Sequence, residues 1–205
     1  MAGAAETASD LETLRRAAAD CTGCELYRNA EQTVFGRGPA PARLMLIGEQ
    51  PGDREDRAGE PFVGPAGRLL DRALTEAGIR RDEVYLTNAV KHFSFEQRGE
   101  RRIHQTPTAA QIRACRPWLD AELRVVAPAA LGVLGATAAQ ALLGRTFRVT
   151  RQRGQMIDWE GHAVVATVHP SAVLRAPPER RAELFDGFVE DLKVLAAALQ
   201  RIVEP

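Results

Sequence analysis

The chain has little cysteine, no excess charge of either sign and no long apolar run. Three cysteines in 205 residues cannot pair completely, which argues against a disulfide scaffold. Lys and Arg number 27, as do Asp and Glu, so the formal net charge is zero. Bulk charge therefore does not advertise nucleic-acid binding, and any such binding must use a local patch. Arg98, Arg101 and Arg102 form the best cluster for one, and Arg148, Arg151 and Arg153 a second. No apolar run reaches membrane-spanning length, and the opening MAGAAETASD lacks a charged-then-apolar signal pattern. A cytoplasmic monomer without a membrane partner is expected. What is present is ordinary for a soluble globular protein: 45% hydrophobic and 26% charged residues. The length suits one domain with a proper core.

Residues 1–9 are small and polar and are expected to be disordered, leaving 10–205 as a single domain. Asp10 can cap a helix to about Asp20, with Leu11 and Leu14 inward. A cysteine-containing turn comes next, Cys21-Thr22-Gly23-Cys24. Buried strands are expected at 43–48, 84–88, 130–134 and 163–168, with a hairpin partner for the last at 156–159. Helices are expected at 65–78, 108–126, 137–143 and 178–202. Strands alternating with helices predict a three-layer α/β/α sandwich around a mostly parallel four-stranded sheet.

Ligands of such sheets bind beyond the carboxyl ends of the strands. The first strand ends in Gly48-Glu49-Gln50-Pro51-Gly52-Asp53, the second in Asn88, and the fourth in His169-Pro170-Ser171. Three strands thus deliver chemically capable groups to one edge. The Asn88 amide offers a donor and an acceptor, as the edge of a pyrimidine requires. Gly48 and Gly52 would let backbone approach a ligand closely. Phe62, between Pro61 and Val63, is either a stacking platform for a base or a core plug. After the second strand comes a polar, Arg- and Gln-rich segment, 96–107, which reads as a flexible basic loop ending in Arg101-Arg102-Ile103-His104. It suits a nucleic-acid backbone, and its imidazole could do chemistry on what it holds; the plain alternative is a solvated loop.

Cys21 and Cys24 have metal-chelate spacing, and Cys115 lies far along the chain. No βαβ pattern surrounds the pair, which disfavours thioredoxin-like redox chemistry. Three thiolates need a fourth ligand, and imidazole can serve. Zinc and an iron–sulfur cluster both remain open from spacing.

Together these motifs make the chain resemble the uracil-DNA glycosylase superfamily, most closely its iron–sulfur branch, over residues 11–200. Gly48-Glu49-Gln50-Pro51-Gly52 is similar to that branch's first motif, which commonly reads Gly-Glu-Ala-Pro-Gly. Pro61-Phe62-Val63-Gly64 resembles its base-stacking segment, Thr87-Asn88 its uracil-reading strand end, and His169-Pro170-Ser171 its last motif. Two departures matter. The branch usually carries cysteine after the lysine of Val90-Lys91-His92, so the resemblance implies a [4Fe–4S] cluster on Cys21, Cys24, His92 and Cys115. The inserted basic loop and Gln50 are similar to the UdgX group, relatives that stay covalently attached to DNA after removing uracil.

What the resemblance implies is a mechanism on a flipped-out nucleotide. Uracil would be gripped between Phe62 and Asn88, with Gly48, Gly52 and Ser171 lining the pocket. His169 would stabilise charge building on the uracil carbonyl. His104 would then attack the oxocarbenium-like sugar at C1′, with Glu49 accepting the proton of its other ring nitrogen. Gln50 and Asp53 would hold the loop or a water, and Arg102 and Arg175 would contact the substrate strand. Uracil-containing DNA, single-stranded in preference, is the expected partner and free uracil the product. The alternatives are an ordinary turnover glycosylase and a non-catalytic metal-stabilised DNA-binding module.

Overall fold

The computed structural model describes residue 5 and residues 7–201. Five strands, β1 (Leu44–Gly48), β2 (Val84–Asn88), β5 (Ala130–Leu134), β6 (Met156–Trp159) and β7 (His162–Thr167), form one sheet in the order β2-β1-β5-β7-β6. β1, β2, β5 and β7 are parallel, with Leu44 opposite both Val84 and Ala130. Every residue of β1, β2 and β5 is buried. That is the mark of strands covered on both faces, and it explains why they read as continuous apolar runs. The mostly parallel α/β/α architecture is as expected, with one correction. The sheet has five strands rather than four, because β6 pairs antiparallel with β7 and joins the edge. Its alternately exposed side chains are those of an edge strand.

One face is covered by α3 (Pro65–Glu76) and α8 (Pro178–Arg201), whose Leu70, Leu74, Phe188 and Leu192 pack with Leu46 and Leu86. Burying a leucine fully stabilises the fold by roughly 1.5–3 kcal/mol. α4 (Ala109–Val126) and α5 (Ala136–Leu143) cover the other face. α4 starts at a capping box in which Thr108 and Gln111 satisfy each other's backbone N–H groups. Outside α4 lies α1 (Leu11–Ala19), capped by Asp10 as expected. Among the described residues there are also three short α-helices that the sequence does not announce: α2 (Asp53–Ala58), α6 (Val149–Gln152) and α7 (Pro170–Arg175).

The segment expected as a flexible loop is a second correction. It forms a hairpin of β3 (Phe95–Arg98) and β4 (Arg101–His104), with Arg98 opposite Arg101 and Phe95 opposite His104. Gly99 takes φ 59 at the two-residue turn, which only glycine adopts without strain. Of the N-terminal stretch expected to be disordered, residues 1–4 and 6 lie outside the described residues. Ala5 and Ala8 are buried, and their carbonyls accept from Arg124 at 2.8 and 3.1 Å. Ile202, the expected end of the last helix, is also outside. Among the described residues, no helix is long and apolar enough to cross a membrane.

Candidate active site

The chain leaves β1 toward β2 on one side and later returns through β5 on the other. Adjacent strands therefore exit in different directions between β1 and β5, and a crevice opens at that switch point. Gly48 ends β1 there. A Cβ on it would sit 2.3 Å from Oδ1 of Asn88 and 2.8 Å from Cζ of Phe62. Only glycine lets the strand-end amide and the aromatic ring approach this closely. Phe62 has φ 60, left-handed for a bulky residue, at a cost of order 1–3 kcal/mol. Its carbonyl is seated on Gly67, where a Cβ would lie 1.6 Å away. The ring belongs to the core, one of the two places the sequence allowed, and it stacks toward His169 with centroids 6.4 Å apart and planes 26° from parallel.

His169 caps α7. Its Nδ1 accepts the Ser171 backbone N–H at 3.2 Å and lies 2.8 Å from the Ser171 hydroxyl. That fixes the neutral tautomer, with its proton on Nε2 and available to a ligand. Burial pushes this imidazole down to about 4, opposed by Glu49 and assisted by Arg175 and His104. Glu49 lies between the two histidines. Burial alone would raise its carboxyl. Hydrogen bonding to His104 and Thr137, with the electrostatic influence of His104 and His169, brings it below the usual carboxylate range instead. His104 Nε2 stands 3.3 Å from Glu49 Oε1, and its side chain is about half exposed, at 51%.

The hairpin that carries His104 is fastened at two points. Gln50, buried, donates to the carbonyls of Ser94 (3.1 Å) and Gln105 (3.0 Å) and accepts from the Ser94 N–H (3.0 Å). It thereby clamps both ends of the hairpin. Arg102 is the second fastening. Its guanidinium meets Asp53 and Asp56, each at 2.5 Å, and Glu31 at 3.4 Å, and lies over the rings of Phe93 and Phe95. The expected substrate contact by Arg102 is thus not what the structure places. The side chain is only 7% exposed and fully engaged, because two carboxylates draw it inward. Asp53 takes part in holding the hairpin. Arg101 and Arg175 are exposed, whereas Gly52 and Ser171 line the edge through backbone and cap.

Cys21 and Cys115 are buried and Cys24 half-buried. Burial, with Cys21 and Cys24 nearby, pushes the Cys115 thiol up to about 12, although Lys91 acts against the shift. The Trp118 indole donates to Cys21 Sγ and the Lys91 backbone N–H to Cys115 Sγ, both at 3.2 Å. N–H donors to sulfur of this kind suit thiolates that ligate a metal or cluster. His92 does not complete the set as placed: its Nε2 lies 2.9 Å from the Thr33 hydroxyl. Among the described residues, no three His, Cys, Asp or Glu side chains are grouped to hold a metal ion.

One buried constellation has no signature in the sequence. Lys91 Nζ is wholly buried and contacts Glu122 Oε2 (2.5 Å), Thr87 Oγ1 (2.7 Å) and the carbonyl of Asn88 (2.7 Å). Glu122 also accepts from Gly36 N–H, Tyr85 Oη and Thr87 Oγ1, each at 3.0 Å. The ion pair pins the backbone of Asn88 from behind. Nothing in the one-dimensional pattern joins two charges 31 residues apart.

The fold is an α/β domain whose parallel strand ends gather Gly48, Glu49, Asn88 and His169 at one edge. Comparison with known proteins gives the family. The sequence pattern of the uracil DNA glycosylase superfamily matches residues 35–193. The chain is 39% identical over 175 residues to the type-4 uracil-DNA glycosylase of Thermotoga maritima, covering 84% of this chain and 86% of that protein. It is 33% identical over 205 residues to the type-4 enzyme of Pyrobaculum aerophilum, covering 96% and 98%. A type-5 enzyme of the latter organism is 32% identical over 169 residues, covering 71% of each. The chain belongs to the uracil-DNA glycosylase superfamily.

Proposed function

We propose that this protein excises uracil from DNA. The observation that carries the reading is the convergence of Phe62, Asn88, Glu49 and His169 at the switch point. A flipped uracil stacks on Phe62, and the Asn88 amide pairs with its edge. As the glycosidic bond breaks, its electron pair passes to uracil N1, and negative charge spreads onto the carbonyl facing His169 Nε2–H. Donors aimed at developing charge typically supply a factor of about 10²–10³. The sugar is left as an oxocarbenium-like cation beside anionic Glu49. Single-stranded DNA is the preferred form, since it spares the cost of unpairing the target base.

The relatives, named as type-4 glycosylases, support turnover: Glu49 orients a water, takes its proton, and the oxygen bonds to C1′. A second reading rests on the 3.3 Å contact between His104 and Glu49. With Glu49 on Nε2, the lone pair of a neutral ring is on Nδ1. That nitrogen bonds to C1′, Glu49 takes the Nε2 proton, and a neutral alkyl imidazole remains, a poor leaving group. A tethered nucleophile can act at effective molarities of about 10⁵–10⁸ M, against roughly 55 M for water. This chemistry would set the chain with the UdgX group.

A uracil-containing oligonucleotide decides between them. Free uracil in excess over protein supports turnover. A stoichiometric band shift on a denaturing gel supports capture. Neither product would leave a non-catalytic DNA-binding module. We also propose a [4Fe–4S] cluster held by Cys21, Cys24 and Cys115, with His92 as the remaining ligand, tying the N-terminal turn to α4 and to the segment after β2. Its role would be structural. Iron and acid-labile sulfide should be found in equal amounts in anaerobically purified protein; zinc alone would refute the cluster.

A further inference from the structure

β2 is an edge strand of the sheet. On its open side Leu86 exchanges both backbone hydrogen bonds with Arg37, each at 2.8 Å. Two residues on, the carbonyl of Asn88 turns the same way, and an ammonium takes it where a neighbouring strand would offer an N–H: Lys91 Nζ, at 2.7 Å. The chain then curls, and its next N–H groups serve the other neighbour. Ala89 donates to the carbonyl of Gly48 at 2.8 Å and Val90 to the carbonyl of Glu49 at 3.0 Å. The turn 88–91 thus carries Asn88 and holds the backbone of Glu49, and a fully buried charge closes it. Stability alone gives no reason for that charge, because a buried ion pair can often be replaced by apolar residues of similar volume without loss. What an ammonium adds is several donors directed from one point. Here they go to Thr87 Oγ1, the Asn88 carbonyl and Glu122 Oε2, and none is left for a substrate.

We infer that Lys91 is a positioning residue: its ammonium sets the 88–91 turn and through it places both Asn88, which reads uracil, and Glu49, which serves the sugar. The inference deepens the uracil-excision reading and rests on it. Glu122 fixes the ammonium and is itself held by Gly36, Tyr85 and Thr87. Gly48 stands opposite Asn88 in register, so the peptide joining Asn88 to Ala89 lies between Lys91 and the Gly48 carbonyl. A carbonyl bonded to a charge strengthens the N–H of the same peptide as a donor. The ends of β1 and β2 are thereby fixed against each other at the point where they leave the sheet, and Asn88 and Glu49 with them, before substrate arrives.

Single-turnover uracil release, with protein in excess over a uracil-containing oligonucleotide, tests this. Lys91→Met alone leaves Glu122 without a counter-charge and destabilises the fold. Lys91→Met combined with Glu122→Gln removes both charges and keeps an acceptor for Gly36, Tyr85 and Thr87. The paired variant should unfold in urea close to wild type, yet release uracil roughly ten- to a hundredfold more slowly, the scale of a displacement of about 1 Å at the reacting atoms. Glu122→Gln alone keeps the ammonium on the Asn88 carbonyl and should stay close to the wild-type rate. Lost folding and lost positioning read differently: unfolded molecules lower the amplitude of a single turnover, whereas misplaced groups lower its rate constant. In the paired variant the half-saturating protein concentration should hold, because buried Lys91 meets no part of the DNA strand. Inhibition by free uracil should weaken, because Asn88 reads it. A paired variant that releases uracil at the wild-type rate overturns the inference alone. So does an equal loss of rate in Glu122→Gln, where the ammonium is still present. A wild type that yields neither free uracil nor adduct overturns the excision reading and this inference with it.

Discussion

His104 Nε2 lies 3.3 Å from Glu49 Oε1, at the end of a hairpin whose two ends are clamped by Gln50. The imidazole is half exposed, yet its attachment is fixed and its direction set. On the capture reading, His104→Ser should abolish the covalent band on a denaturing gel while uracil release persists and begins to turn over. The small side chain leaves room for water and spares the groups that break the bond. A serine variant that still crosslinks would identify another nucleophile.

Arg102 decides whether the hairpin stays docked. Replacing it with Ala leaves Asp56, fully buried, without its ion-pair partner. Breaking a buried pair costs about 3–5 kcal/mol, and half-exposed Asp53 and Glu31 argue for the low end. A fall of that size in the unfolding free energy from urea titration, with loss of adduct formation, is the expected outcome. A stable Arg102→Ala protein with weakened DNA binding would instead mark the arginine as a phosphate contact.

Gly48→Ala should leave the sheet intact and close the crevice. The added methyl would meet Oδ1 of Asn88 at 2.3 Å and Cζ of Phe62 at 2.8 Å, so the amide and ring must part. Displacements of about 1 Å at a reacting centre can cost roughly 10²-fold. Uracil release should drop on that scale with little change in melting temperature. An active alanine variant would place uracil elsewhere.

His169 sets a pH dependence. Folded, its imidazole titrates at about 4, against 6.5 for an unhindered ring. Between those values the unfolded chain holds the extra proton. Folding stability is therefore fully present above 6.5 and falls as the pH drops toward 4. His169→Gln removes the titrating group and should flatten part of that slope in urea titrations. Because the wild-type ring stays neutral, bond cleavage should hold steady through the ordinary histidine range and fail only near its lower limit. A cleavage midpoint near 6.5 would mean that His169 works as a cation.

The strand ends are legible in the sequence because parallel strands covered on both faces announce themselves as apolar runs. The residues just past such a run lie at the sheet edge. Gly48, Glu49, Asn88 and His169 can be gathered that way. The hairpin cannot, because Phe95-Glu-Gln-Arg-Gly-Glu-Arg-Arg-Ile-His is almost all polar. Its order comes from Gln50 and from carboxylates 46 and 49 residues away from Arg102, not from an apolar face. β6 reads as a local partner of β7, yet pairing with an edge strand is what enlarges the sheet. The Lys91–Glu122 pair leaves no periodic trace. Only the fold reveals that the carbonyl of Asn88 rests on a buried ammonium.

That pair also bears on the order of assembly. The Glu122 carboxylate gathers donors from Gly36, Tyr85, Thr87 and Lys91, so it is satisfied only after the segment before β1, the β2 strand and α4 have met. Until then it is better solvated by water than by a half-built interior. Contacts that must wait for distant segments form late and contribute little to the folding nucleus. Their loss is felt mainly as faster unfolding rather than slower folding. The residue that stiffens the back of the crevice thus gains its partners only when those three segments are together.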